Sequence, residues 1–223
     1  MSCRIGSSRE RAAMSGVLAG ATFLGGVAAA TALADAPYPR PGSDAGTIRS
    51  YFRGSPRAAR LSAAGQLVSA AALGRFTVSV ATLAGRAGPA ARALQTTSLA
   101  GGALAVASLA TSGAFAAALT TPRSDSDEAA VRMHRRAFLA GGLAHGVGFG
   151  ALVGSLALAG LRTGELPRQL TLVGLGSAAA GLLSPLYLVA EPAAWLIPAG
   201  RFSGLLVSGI AGVRLARGAA SRG

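Results

Sequence analysis

The sequence predicts an all-α protein, a polytopic transmembrane bundle of about six helices. Three observations predict it. About half of the 223 residues are apolar and only 13% are charged, where a soluble globular domain carries about 25% charged residues. Uncharged apolar runs of about 20 residues recur along the chain, and at ~1.5 Å per residue each is long enough to cross ~30 Å of hydrocarbon. The 21 basic residues are all arginine, and most sit at the ends of those runs, where helix ends meet lipid head groups. That placement answers the net charge of +13 without nucleic acid. A nucleic-acid binder gathers its basic residues on one face among stacking aromatics, and this chain has only 11 aromatic residues. The 52 alanines, 32 glycines and missing lysine look like the bias of a GC-rich genome. A single cysteine, Cys3, excludes an intramolecular disulfide and a cysteine-based metal cluster.

The first span is predicted from Ala12 to Ala34, behind Arg4, Arg9 and Arg11. Ala32-Leu33-Ala34 fits a signal-cleavage pattern, but the apolar run exceeds a usual signal core, so the span is read as uncleaved. A polar connector follows, Asp35 to Arg60, whose three prolines, Pro37, Pro39 and Pro41, exclude regular helix at its start. Ser43-Asp44 then offers a helix start, and Ile48, Tyr51 and Phe52 share one helical face. Either a short amphipathic helix lying on the membrane or a packed loop accounts for them.

The second span is Leu61 to Gly85, and the third is Ala93 to Leu119 after the turn that holds Pro89. Ser124 to Glu128 is acidic and suits a helix N-terminus. That helix is expected to run through Arg132, Arg135 and Arg136 into the fourth span, Ala137 to Leu161. Gly164 suits a left-handed cap and Pro167 the start of the fifth span, Gln169 to Ala190. The last span falls within Ala193 to Val213, with Pro198 as a possible break that leaves Ala199 to Ala216 continuous. The domain plan is thus a cytoplasmic segment 1–11, one transmembrane domain 12–216 and a cytoplasmic tail 217–223.

Six spans place both termini on one side. Arginines divide equally, ten to each side, with Arg75 left over. Six of the eight acidic residues fall in the segments opposite the termini, and the arginines on the terminal side crowd into short segments. Both termini are therefore expected in the cytoplasm, with the protein in the inner (plasma) membrane.

Four segments in order carry a resemblance. They are Glu10-Arg11-Ala12-Ala13, the stretch Asp44 to Phe52, the turn Leu161-Arg162-Thr163-Gly164-Glu165-Leu166-Pro167-Arg168, and Leu196-Ile197-Pro198-Ala199-Gly200-Arg201-Phe202. Together they resemble the small multi-span membrane proteins of unknown function common in actinobacteria. The resemblance covers nearly the whole chain. It implies six helices and supplies neither an activity nor catalytic residues. His134-Arg135-Arg136-Ala137-Phe138-Leu139 also resembles a twin-arginine export signal, which its internal position makes a coincidence.

No catalytic, phosphate-binding, cofactor or metal motif is present in the sequence, so neither a cofactor nor a metal ion is expected. Gly142, Gly146, Gly150 and Gly154 recur at every fourth residue and stripe one face of the fourth span. Such a stripe lets another helix approach closely; a groove lined by glycine backbone is the other reading. Leu152, about 200° around the helix from Gly150, is then expected to face lipid.

Ionisable residues at membrane depth are the remaining candidates. Arg75 and Arg201 are candidates for a substrate or ion pathway. Arg75 lies ten residues before Arg86, so either the second span ends early, or Arg75 snorkels, or it is buried and paired. His145 and Glu191 are candidate base and acid if the protein is an enzyme. A buried neutral histidine bonded to a carbonyl, and a Glu191–Arg201 ion pair beside an interfacial Trp195, are the structural alternatives.

Two function classes follow. One is a bundle acting through contacts, as a subunit, scaffold or passive transport component. The other is an embedded cyclase or isomerase acting on a lipid or isoprenoid. The expected partners are the bilayer, a lipophilic small molecule, and a second copy or another membrane protein.

Overall fold

The computed structural model describes residues 3–220, and among them every regular element is helical. Helix α1 is Cys3–Leu33, α2 Ala45–Gly54, α3 Pro56–Ala84, α4 Ala91–Ala118 and α5 Asp127–Phe138. A π-helical segment, Leu139–Ala144, joins α5 to α6, His145–Thr163; α7 is Arg168–Leu183 and α8 Leu196–Ala220. Six stretches are long and apolar enough to cross a membrane. Helices α1 and α8 run past the predicted domain edges at residues 11 and 216, while residues 221–223 of the tail fall outside the described part.

The spans form a ring with a filled centre. Helix α1 packs between α3 and α8, α3 on α4, α4 on α6, α6 on α7 and α7 on α8. Helix α6 also touches α3 and α8, so it is the central helix. That placement corrects the expectation for Leu152, which is fully buried together with Val153, Leu156 and Ala157. One glycine stripe does not leave the opposite face to lipid when the helix is surrounded.

Small residues make the close packing possible. A Cβ added at Gly150 would lie 2.9 Å from the Ala178 carbonyl oxygen and 3.1 Å from the Leu182 amide nitrogen, both on α7. At Gly146 it would meet Ser184 Oγ at 2.8 Å, and at Gly154 the Ala178 Cβ at 3.1 Å. Gly142 is different, since its nearest neighbour is the Phe138 ring of its own helix run. Sequence spacing missed a second contact on α6. Gly148 faces α4, where an added Cβ would lie 2.6 Å from the Ala105 amide nitrogen and 2.7 Å from the Gly101 carbonyl oxygen. In lipid such dense contact is the main source of helix association.

A cap covers one end of the bundle. Asp44 caps α2 by accepting from the Thr47 amide at 2.9 Å and the Thr47 hydroxyl at 2.7 Å. Those bonds, the hydroxyl's first, hold the Asp44 carboxyl below the usual carboxylate range. Helix α2 then buries Ile48, Tyr51 and Phe52 against Ala59, Leu119 and Ala130. Its apolar face therefore packs on protein and not on the membrane surface. The reason is α5, whose polar turns raise the fourth helix run above the apolar span and give α2 a wall. Tyr38 and His134 add edge contacts to Tyr51 and Phe52. Arg49 pairs with Asp127 and Arg53 with Asp125, at 2.5 and 2.8 Å. These pairs are largely exposed, so each is worth ~0–1 kcal/mol and the aromatic cluster carries the seat.

The fourth helix run is continuous from Asp127 to Thr163, 37 residues. Ser126 caps it, accepting from the Ala129 amide at 3.2 Å, with Asp127 and Glu128 in the first turn. Ser126→Ala is expected to cost ~1 kcal/mol, the usual loss for an N-cap, read as a small drop in melting temperature in detergent. Gly164 ends the run in the left-handed conformation, φ 72°. Pro198 does not break the last span. It is the third residue of α8, where the missing amide has no intrahelical partner to lose. The α-helix of the fifth span ends at Leu183, and Ser184–Leu188, which contains Pro185, tightens into a 3-10 turn.

Candidate functional site: a buried arginine centre

The π-helical segment starts the site. Its residues, Leu139-Ala140-Gly141-Gly142-Leu143-Ala144, are mostly small, which eases a wider turn. In it the His145 amide reaches back five residues to the Ala140 carbonyl. Returning from five-residue to four-residue bonding skips one carbonyl, and such bulges recur at functional sites. The next carbonyl, that of Gly141, accepts a hydrogen bond from the Arg201 guanidinium of α8. Arg201 thus ties the last span to the fourth. Its guanidinium also lies over the Phe23 ring of α1, 5.1 Å from the centroid, a cation–π contact.

His145 opens α6 one turn below Gly141. Its Nδ1 lies 3.0 Å from the Ala105 carbonyl oxygen of α4, and its ring stacks on Phe149 at 5.4 Å. The residue is buried. Two serines make similar ties, Ser69 to the Ala19 carbonyl at 2.8 Å and Ser177 to the Gly200 carbonyl at 2.7 Å. In four places, then, a polar side chain within the bundle bonds the backbone of a neighbouring span. The membrane offers no water to those groups, so such pairing is what permits their burial.

The structure places His145 one turn from the Gly141 carbonyl that Arg201 holds and leaves the other candidates elsewhere. Glu191 is exposed in the 3-10 turn before α8, and among the described residues no ion pair joins it to Arg201. That corrects the expected Glu191–Arg201 pair: ten residues of chain separate the two, and α8 carries Arg201 into the bundle. Trp195 is 79% exposed at the same end. Arg75 is exposed on α3, which continues unbroken to Ala84. The second span therefore does not end early, and Arg75 is not buried against a partner; it lies on the bundle's outer surface. Gly146, Gly150 and Gly154 belong to the α6–α7 contact, apart from the arginine centre.

Sequence reading missed Phe23, Ala105 and Gly141. Only Gly141 left a trace, since adjacent glycines mark a place where a helix can change its bonding. Two of its three binding contacts are backbone carbonyls, which every residue carries. Among the described residues no group of histidine, cysteine and carboxylate side chains is placed to hold a metal ion. Comparison with protein-family models, with curated proteins and with solved structures returns no match.

Proposed function

We propose that this integral membrane protein acts through contacts, as a helical-bundle subunit or scaffold for another membrane protein or a second copy of itself. One observation carries the reading: four polar side chains within the bundle, Ser69, His145, Ser177 and Arg201, bond backbone carbonyls of neighbouring spans and so join the helices. His145 Nδ1 is engaged with Ala105 and Arg201 with Gly141, while Glu191 stands exposed at the rim. An embedded acid–base enzyme needs each of its two groups within hydrogen-bond reach of the proton it moves on one bound substrate. Glu191 is exposed at the rim while His145 is buried with its Nδ1 on the Ala105 carbonyl, and this weighs against a cyclase or isomerase built on them.

Native mass spectrometry of the full chain, released from its own membranes, tests the reading. The expected result is a stoichiometric protein partner or a second copy. A protein that emerges only as a monomer would overturn it. Glu191→Gln is expected to leave partner recovery unchanged and to move stability by no more than ~0.5 kcal/mol, as for an ordinary surface substitution. Loss of partner recovery in that variant would place Glu191 in the contact surface.

A further inference from the structure

Arg201 has more hydrogen-bonding capacity than the protein uses. A guanidinium carries five N–H donors and no acceptor. The structure gives it one carbonyl, that of Gly141, and its Nε is buried without a partner. Its charge is also uncompensated. All eight acidic residues of the chain lie at or beyond the span ends, and the one nearest along the chain, Glu191 in the 3-10 turn before α8, is exposed. A buried cation normally has an anion beside it.

The level of the site limits what that anion is. Arg201 lies 13 residues before Arg214 on α8, and Phe23 lies 11 residues past Ala12 on α1. At ~1.5 Å per residue both sit ~17–20 Å from the opposite face, hence ~10 Å below the cap-side edge of a ~30 Å hydrocarbon layer. A diacyl phospholipid would have to carry a hydrated phosphodiester to that depth. A single-chain acid brings only a carboxylate, a smaller polar group to desolvate.

The route is a lateral one. Helices α1 and α8 meet closely along their lower halves, where a Cβ at Gly16 would lie 2.8 Å from the Ser208 carbonyl oxygen and one at Gly20 would lie 3.9 Å from Leu205. Above that contact Leu24 and Val27 of α1 and Phe202 of α8 are exposed, at 43%, 38% and 49%. Arg201 itself is only partly covered. We propose that the exposed surface above the α1–α8 contact receives a long-chain carboxylic acid, its carboxylate on the uncovered edge of the Arg201 guanidinium and its chain along Leu24, Val27 and Phe202. A planar guanidinium fits a carboxylate with two parallel bonds. This goes beyond the scaffold reading and is tested on the isolated protein, so absence of a protein partner leaves it untouched.

The test uses the full chain in nanodiscs of phosphatidylcholine, which carry no net charge, with tritiated palmitate as the probe. Saturable binding is expected, competed by unlabelled palmitate and not by methyl palmitate. Arg201→Gln is expected to weaken it at least ~tenfold, the scale of a lost charge-assisted bond. Arg201→Lys keeps the charge without the planar fork and should bind with intermediate affinity. Arg75→Gln, on the outer surface, should bind like the parent protein. Equal competition by methyl palmitate overturns the proposal even where Arg201→Gln fails to fold. So does an Arg201→Gln protein that folds and binds normally, or a parent protein without saturable binding. Stronger competition by phosphatidylglycerol than by palmitate would replace the acid with an anionic head group and overturn it as well.

Discussion

Gly150→Leu is expected to lower both folded yield and melting temperature in detergent. Even the first carbon of the new side chain would lie 2.9 Å from a backbone oxygen and 3.1 Å from a backbone nitrogen of α7. Backbone atoms cannot rotate away, so α6 and α7 must separate along the contact. Overpacking a fitted interior costs ~1–3 kcal/mol, and the upper end applies where the obstacle is backbone. Gly146→Leu meets the Ser184 hydroxyl first, a side chain that can turn, and is expected to cost less. The control is Gly176→Leu on α7, where an added Cβ meets nothing within 4 Å. If Gly150→Leu melts like Gly176→Leu, the close approach of α6 and α7 is wrong.

Leu152→Ala is the second large effect. In water-soluble cores Leu→Ala costs ~2–5 kcal/mol, as lost transfer energy plus the cavity left behind. In a bilayer the unfolded reference is lipid, as apolar as the core, so the transfer part shrinks and the cavity part stays. The expected loss is therefore near the lower end, ~2 kcal/mol. Leu152 has no exposed surface, whereas Leu172 on α7 is 59% exposed. Leu172→Ala should accordingly have little effect. Melting of both variants in one detergent settles the comparison, and equal losses would mean that α6 is not the central helix.

Those two expectations show what the sequence makes legible and what it hides. The apolar runs mark the six spans because length and hydrophobicity are summed over many residues. The spacing of Gly146, Gly150 and Gly154 marks a packed face because backbone approach needs a missing side chain. Which helix sits at the centre depends on the ring order, and nothing local to α6 encodes that, so spacing alone turns Leu152 toward lipid. The same holds for α2, where Ile48, Tyr51 and Phe52 announce an apolar face without naming what it covers. Of the site, His145 and Arg201 stand out as ionisable residues inside apolar runs. Their partners Ala105 and Gly141 do not, because the interacting atoms are main-chain oxygens. Glu191 is marked in the sequence by its charge alone, and its position on the chain says little about which way a turn presents it.

The seating of α2 on α5 has a consequence for biogenesis. Polar contacts at the edge of the cap join residues more than 70 positions apart: Arg49 to the Asp125 carbonyl and Arg53 to the Asp125 carboxylate, both at 2.8 Å. When α2 leaves the ribosome its wall does not yet exist. Two further spans, α3 and α4, have to be threaded through the bilayer before Asp125 and α5 arrive on the same side. Throughout that interval Ile48, Tyr51 and Phe52 lack the part of their cover that α5 supplies through Ala130 and His134. The nascent connector thus carries a partly uncovered aromatic face until α5 arrives. Closing the cap is a late step of assembly, and a chain stalled or truncated before residue 127 leaves its aromatic face partly open.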